Sequence, residues 1–286
     1  MSELIEPFLS GLPLLNELHS ERPDPGRLSI WWLGQSGYVI KSANGTLVVD
    51  PYLSEHLTKK YADTNKPHIR MTRHPFRPHE LTGIDVVLAS HKHSDHLDPE
   101  TAPILLERSP TARIILPQSL SAHAESLRIP NDRTVGIDAG ETVEIAGFRI
   151  RAIPSAHEGL DKDAAGHHLY LGFVIEVEGL RLYHSGDTLL YDGLVDRLGA
   201  KPFDLMFLPI NGRDPKRGAA GNMSSGEAVD LACVVRPRFV VPHHYDMFTF
   251  NTIPVESFEI EARRLPEGTS PKVLRCGEHW EVGPWA

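Results

Sequence analysis

Six consecutive residues, His91-Lys92-His93-Ser94-Asp95-His96, carry three imidazoles and a carboxylate. Neutral imidazole nitrogen and carboxylate oxygen are both ligands of zinc and related divalent ions. Residues two apart point the same way on an extended chain, so His91 and His93 are able to grip one ion together. Asp95 and His96 follow at once and face elsewhere, which suits a second ion. The plainer alternative, a solvated histidine-rich loop, would fit a single histidine better than this cluster.

The elements that must position such donors are legible as β-like runs, four of which stop just before a candidate ligand. Ile84 to Ala89 leads into Ser90 and His91. Phe148 to Ile153 alternates apolar and polar residues, then breaks at Pro154 ahead of His157. Leu180 to Tyr183 runs into His184-Ser185-Gly186-Asp187, and Arg238 to Val241 meets Pro242, then His243 and His244. Alternating or β-branched runs bounded by Pro or Gly read as strands. If these four lie side by side and point the same way, their trailing loops gather at one sheet edge, where sites are commonly built.

On that arrangement His91, His93 and His157 are able to complete one ion, and Asp95, His96 and His244 a second, with Asp187 between them. Paired ions of this kind serve hydrolysis. His243 and His244 compete for one role. His184, beside Asp187, and Asp50, at the end of its strand before Pro51, are candidates for orienting a ligand; Asp50 alternatively caps a turn. No G-x-S-x-G elbow occurs, which argues against a serine hydrolase.

Elsewhere, Leu28 to Leu33 and Tyr38 to Lys41 flank the turn-like Gly34-Gln35-Ser36-Gly37, and Asn44-Gly45 precedes Thr46 to Asp50, which together read as an antiparallel meander. Further strands are expected at Ala112 to Leu116, Leu171 to Val177 and Leu205 to Leu208. Helices are expected at Pro99 to Glu107, Gln118 to Leu127, Ser224 to Val234 and Val255 to Arg264. Ser224 with Glu227 three residues on forms a capping box. Strands first, then strands alternating with helices, favour two sheets with helices outside over an all-β barrel.

A chain of 286 residues with 41% hydrophobic content can bury a large core without disulfides. Its formal net charge of −9 argues against nucleic acid as a partner. No apolar run approaches the roughly 18 residues needed to span a bilayer, so stable membrane insertion is not expected. Cys233 and Cys276 are not in a CxxC pair; two isolated cysteines fit a reducing, cytoplasmic setting. Residues 1–22 lack a basic n-region and read as a helical extension on the body rather than a signal peptide. Residues 51–81 are locally basic, with Lys59, Lys60, Lys66, Arg70, Arg73 and Arg77. They read either as a solvated excursion or as an insertion that brings positive charge to an anionic substrate.

The pattern His91-x-His93-x-Asp95-His96, with His157, Asp187 and His244 downstream, resembles the metallo-β-lactamase superfamily, over most of the chain from Trp31 to Tyr245. Trp31-Trp32-Leu33-Gly34, Leu182 to Asp187, Pro242-His243-His244-Tyr245, and Asp214 to Gly218 followed by Met223-Ser224-Ser225 are similar to its L-ascorbate-6-phosphate lactonase branch. The resemblance implies an α+β, four-layer αββα sandwich in one domain over residues 1–286. It implies the ligand sets above with Asp187 bridging, and His244 rather than His243; the His and Asp donors, without Cys, suit two divalent ions, zinc or manganese with iron a third option. The loop from Arg213 to Gly221 is similar to that branch without matching it.

The function expected is metal-dependent hydrolysis of a small anionic molecule by a metal-bound hydroxide, with lactone opening first. Asp95 would orient or relay the proton, and Arg213, Lys216 or Arg217 would hold a phosphate or carboxylate. A phosphodiesterase using the same two ions is the alternative, and a non-catalytic metal-binding module is a third reading. Monomer and homo-oligomer are both compatible with the sequence.

Overall fold

The computed structural model describes residues 4–214 and 221–284. Leu28–Gly34 (β1), Gly37–Lys41 (β2) and Thr46–Val49 (β3) form the expected antiparallel meander. Val86–Leu88 (β4), Arg113–Pro117 (β5) and Thr134–Ile137 (β6) extend it by parallel pairing. The second sheet begins with three antiparallel pairings among Thr142–Ile145 (β7), Phe148–Pro154 (β8), Leu171–Val177 (β9) and Leu180–His184 (β10). Leu205–Pro209 (β11), Phe239–His243 (β12) and Ser270–Pro271 (β13) follow in parallel. His279–Val282 (β14) crosses back to pair antiparallel with β1, so each sheet has seven strands.

Alternation along the strands explains the layering. In β1, Ile30 and Trp32 face the second sheet and share a core with Phe148, Ile150, Phe173 and Ile175. Trp31 and Leu33 face outward and pack with Leu14, Leu15 and Leu18 of the helix Gly11–Ser20 (α1), and with Leu105 and Leu106 of Ala102–Arg108 (α3). Between these two helices in sequence lies the short His56–Lys60 (α2); Ser121–Ser126 (α4) joins the same outer layer through Ala124. On the far side, Leu194–Leu198 (α5), Ser225–Val235 (α6) and Glu256–Glu261 (α7) cover the second sheet. The result is an αββα sandwich. Phe173, on β9 between the sheets, is fully buried, and truncating it to Ala would cost about 3–5 kcal/mol.

The capping box at Ser224 and Glu227 forms as expected at the start of α6. Four short strands, β6, β7, β13 and β14, were not evident in the sequence. Each is an edge strand of two to four residues, too short for alternation to announce it. The expected helix from Gln118 opens instead as a 3-10 turn, Gln118–Leu120, before α4. Within 51–81 the chain is tied down rather than loose. The buried Arg70 guanidinium pairs with Glu55 at 3.0 Å, donates to the Ser54 and Thr72 carbonyls, and lies over the Tyr52 ring. Cys233 and Cys276 are both free thiols. No helix among the described residues is long and apolar enough to cross a membrane.

Candidate metal centre

The four strand ends meet, though not as neighbours in one sheet. β8, β10 and β12 run in the same direction in the second sheet and carry His157, Asp187 and His244 past their ends. β4, which leads to His91, belongs to the first sheet. The expectation of four adjacent strands is therefore corrected: the donors face each other across the mouth of the sandwich. The seam is tight. Gly186 has φ of 57°, and a Cβ there would lie 2.7 Å from Ser90 Cβ and 2.8 Å from the Leu171 carbonyl oxygen, so only glycine fits.

His91, His93 and His157 each offer a ring nitrogen to one group, all within 4.8 Å of one another. Hydrogen bonds on the opposite ring atoms orient two of them. The Ser90 hydroxyl donates to Asp50 Oδ2 at 2.6 Å, so it accepts from His91 Nδ1–H at 3.0 Å. His157 Nδ1–H donates to the Gly221 carbonyl at 3.1 Å. Each arrangement leaves Nε2 with its lone pair. Desolvation holds the His91 pKa well below the usual imidazole range and lowers that of His93 to about 4, so both rings are neutral at neutral pH.

Asp95, His96 and His244 form a second group within the same limit. Asp50 is fully buried behind it, with φ of 41°. Its Oδ1 accepts from the Ser90 amide at 2.7 Å, and its Oδ2 lies 2.7 Å from His96 Nδ1. That contact leaves His96 Nε2 turned towards Asp95 and Asp187. Burial lowers the His96 pKa, but Asp187, Asp50 and Asp95 outweigh it and raise it well above the ordinary value. Burial likewise opposes ionisation of Asp187, yet His96 and His244 hold its carboxyl well below the usual range.

Asp187 lies between the groups. It also joins His91 and His96 in a third set of converging donors. Its Oδ1 is 3.3 Å from His96 Nε2, and its Oδ2 is 3.4 Å from His244 Nε2 and 3.8 Å from His157 Nε2. His96 Nε2 and Asp187 Oδ1 are buried and make no hydrogen bond. Buried polar atoms are normally paired. Facing atoms of opposite charge preference, left unbonded among imidazoles and carboxylates, are the donor set that divalent cations require. These residues fit metal.

His243 turns away. It stacks on His184 at 5.1 Å and bonds to Ser36 Oγ at 3.0 Å. His184 takes the Gly186 amide on Nδ1 at 3.2 Å and has its Nε2 2.9 Å from the Ser36 carbonyl, tying the Asp187 turn to the β1–β2 bend. Arg213 makes two bonds to Glu227, at 2.7 and 3.1 Å, and is not among the residues lining the cavity over the centre. Lys216 and Arg217 lie outside the described residues.

That cavity has a volume of about 330 Å³ and a floor that includes His93, Asp95, His157, Asp187 and His244. Its walls carry Lys60, Lys66, Lys92, Tyr61, His68 and Phe250. Two further participants had gone unmarked as site residues in the sequence. Gln35 donates from Nε2 to Asp95 Oδ2 at 2.7 Å. The Tyr170 ring packs against His91, His93 and His157, with centroids 5.2, 6.1 and 5.3 Å away. Gln35 had read as a turn residue, and Tyr170 as the residue before a strand; neither type announces a site.

Residues 46–245 match the family model described as "Beta-lactamase superfamily domain". The "Probable L-ascorbate-6-phosphate lactonase UlaG" of Salmonella heidelberg is 26% identical over 303 residues, covering 94% of this chain and 83% of its own. The isothiocyanate hydrolase from Delia radicum gut bacteria has a similar structure, with a TM-score of 0.71 at 18% identity over 90% of this chain and 100% of its own. A metallo hydrolase from Ignicoccus hospitalis has a TM-score of 0.65 at 20% identity over 91% of this chain and 100% of its own. At those identities the structural likeness speaks for the fold alone.

Proposed function

The chain belongs to the metallo-β-lactamase superfamily and is a metal-dependent hydrolase of it; from that premise we propose that it opens the lactone of a small anionic molecule. The observation that carries this reading is that both donor groups border one small cavity with lysines on its wall. A volume of about 330 Å³ suits a small molecule. Lys60, Lys66 and Lys92 suit a phosphate or carboxylate; the sequence had offered this task to the basic 51–81 stretch, which holds Lys60 and Lys66, and to Arg213, Lys216 or Arg217, of which Arg213 is engaged by Glu227. The resemblance to the lactonase of Salmonella puts lactones first.

In this reading His91, His93 and His157 hold one divalent ion, and Asp95, His96 and His244 hold a second, with Asp187 shared. Such ions, zinc, manganese or iron by the donor types, supply polarisation of a carbonyl and bring the pKa of water towards ~7. The protein's own part is positioning and proton transfer. Asp50, Ser90 and the Gly221 carbonyl fix the ring orientations. Asp95 is the more exposed of the two carboxylates at the cavity, 15% against 4% for Asp187. We assign it the proton taken from attacking water and returned to the leaving oxygen. Residues 1–286 are read as one domain, with 1–22 as an extension and 51–81 as an insertion that supplies one cavity wall.

The test is a parallel assay of purified protein, loaded with zinc or manganese, on phosphorylated and carboxylated lactones and on bis(p-nitrophenyl) phosphate. Lactone opening that is lost on chelation and in His93→Ala is expected. Turnover of the phosphodiester alone would replace this reading with a phosphodiesterase. Tight metal content with no turnover on any substrate would leave a metal-binding module.

A further inference from the structure

Gln35 occupies an unusual position for a bend residue. Its φ of 52° lies in the left-handed region that side chains with a Cβ seldom adopt. Two donors pin its carbonyl there: Trp32 Nε1–H and the His244 amide, each at 3.0 Å. The pinned backbone sends the side chain inward, and the residue is only 1% exposed. The terminal Nε2 lies 2.7 Å from Asp95 Oδ2 and 3.1 Å from His244 Nε2. The other terminal atom, Oε1, is buried with no hydrogen-bond partner.

Those distances have a second meaning. An ion binds nitrogen and oxygen at about 2.0–2.2 Å, so donor atoms around it sit roughly 3 Å from one another. The amide end of Gln35 is thus spaced from Asp95 and His244 as a member of one coordination shell would be. An N–H group at that point can donate to Asp95 but cannot bind a cation, whereas a carbonyl oxygen can. Half a turn of the amide exchanges Nε2 and Oε1 within the same volume. It brings the unpartnered oxygen to the ion's side.

Resting on the two-ion reading above, we propose that Gln35 is a further ligand of the ion held by Asp95, His96 and His244, through Oε1. With Gln35 and Asp95 contributing, that ion has two oxygen donors beyond the shared Asp187, which the three-imidazole group lacks. Hard oxygen ligands favour manganese and iron over zinc relative to an all-nitrogen set. Gln35 therefore sets the metal preference of one half of the centre and leaves the other half alone.

The test uses the full chain, titrated with Mn²⁺ and with Zn²⁺ by calorimetry, with ions per chain counted by elemental analysis. In Gln35→Leu, the site that includes Asp95 should lose Mn²⁺ affinity by about tenfold or more, and Zn²⁺ affinity by less. The affinity of the imidazole-only site should be unchanged. Gln35→Glu keeps an oxygen and adds charge, so its melting temperature should rise more on Mn²⁺ addition than the wild type's does. This second variant decides the matter if Gln35→Leu does not fold. Unchanged or tighter Mn²⁺ binding in Gln35→Leu, or no larger shift in Gln35→Glu, would overturn the proposal while the wild type still binds two ions. Fewer than two ions in the wild type would overturn the two-ion reading, and this proposal with it.

Discussion

Of the two donor groups that meet at Asp187, one is three imidazoles and the other an acid with two imidazoles, backed by a second acid. Desolvation dominates the first and keeps His91 and His93 uncharged. Carboxylates dominate the second and bias His96 towards positive charge in spite of its burial. The first group's orienting contacts are neutral, the Ser90 hydroxyl and the Gly221 carbonyl; the second's include Asp50. The mouth between the two sheets thus holds two halves with different electrostatics, built from nearly the same residue types. Borderline ions suit the nitrogen-rich half, and harder ions suit the oxygen-rich half.

Substitutions can break or sharpen that contrast. The largest effect belongs to His93→Ala: turnover should fall to background and metal content should drop by one ion per chain, measured by elemental analysis. Loss of both ions would show that the halves are not separable. Next is Asp50→Asn, which removes the carboxylate that orients His96. The oxygen-rich half should lose about 10–100-fold in metal affinity by calorimetry, and the imidazole half less. Ser90→Ala should show the reverse bias, because His91 Nδ1–H loses its acceptor. A loss of about tenfold on the imidazole half is expected, again by calorimetry. The smallest effect is Lys92→Ala on the cavity wall. KM for an anionic substrate should rise about threefold with metal content unchanged, and the difference should shrink in high salt.

The two halves also differ in how far they could be read from sequence. His91, His93, Asp95 and His96 lie within one six-residue stretch, so their types and spacing announce them. His157, Asp187 and His244 were legible because each follows a β-like run that ends at Pro or Gly. Which sheet each run joins depends on long-range pairing, and the expected single row of four strands became one strand facing three. Gln35 was hidden because a glutamine in a Gly-rich bend has an ordinary local explanation; only the pairing of β1 and β2 and the His244 amide aim it inward. Arg213 carries the right charge in a nearby loop, but the Glu227 that caps α6 engages it. Lys92 stood inside the hexapeptide and was passed over, because a lysine between two histidines reads as solvated.

The return of β14 to pair with β1 has a consequence for assembly. Apart from that one strand, the first sheet is built from the chain before Ile137 and the second from the chain after Thr142. Cleavage between those residues would yield two fragments, one bearing the hexapeptide and the other His157, Asp187 and His244. Neither fragment has a full donor set, and the C-terminal strand of the second would clasp the first. Reassociation of the pieces should therefore depend on divalent ions, making the centre a molecular rivet as well as a catalyst.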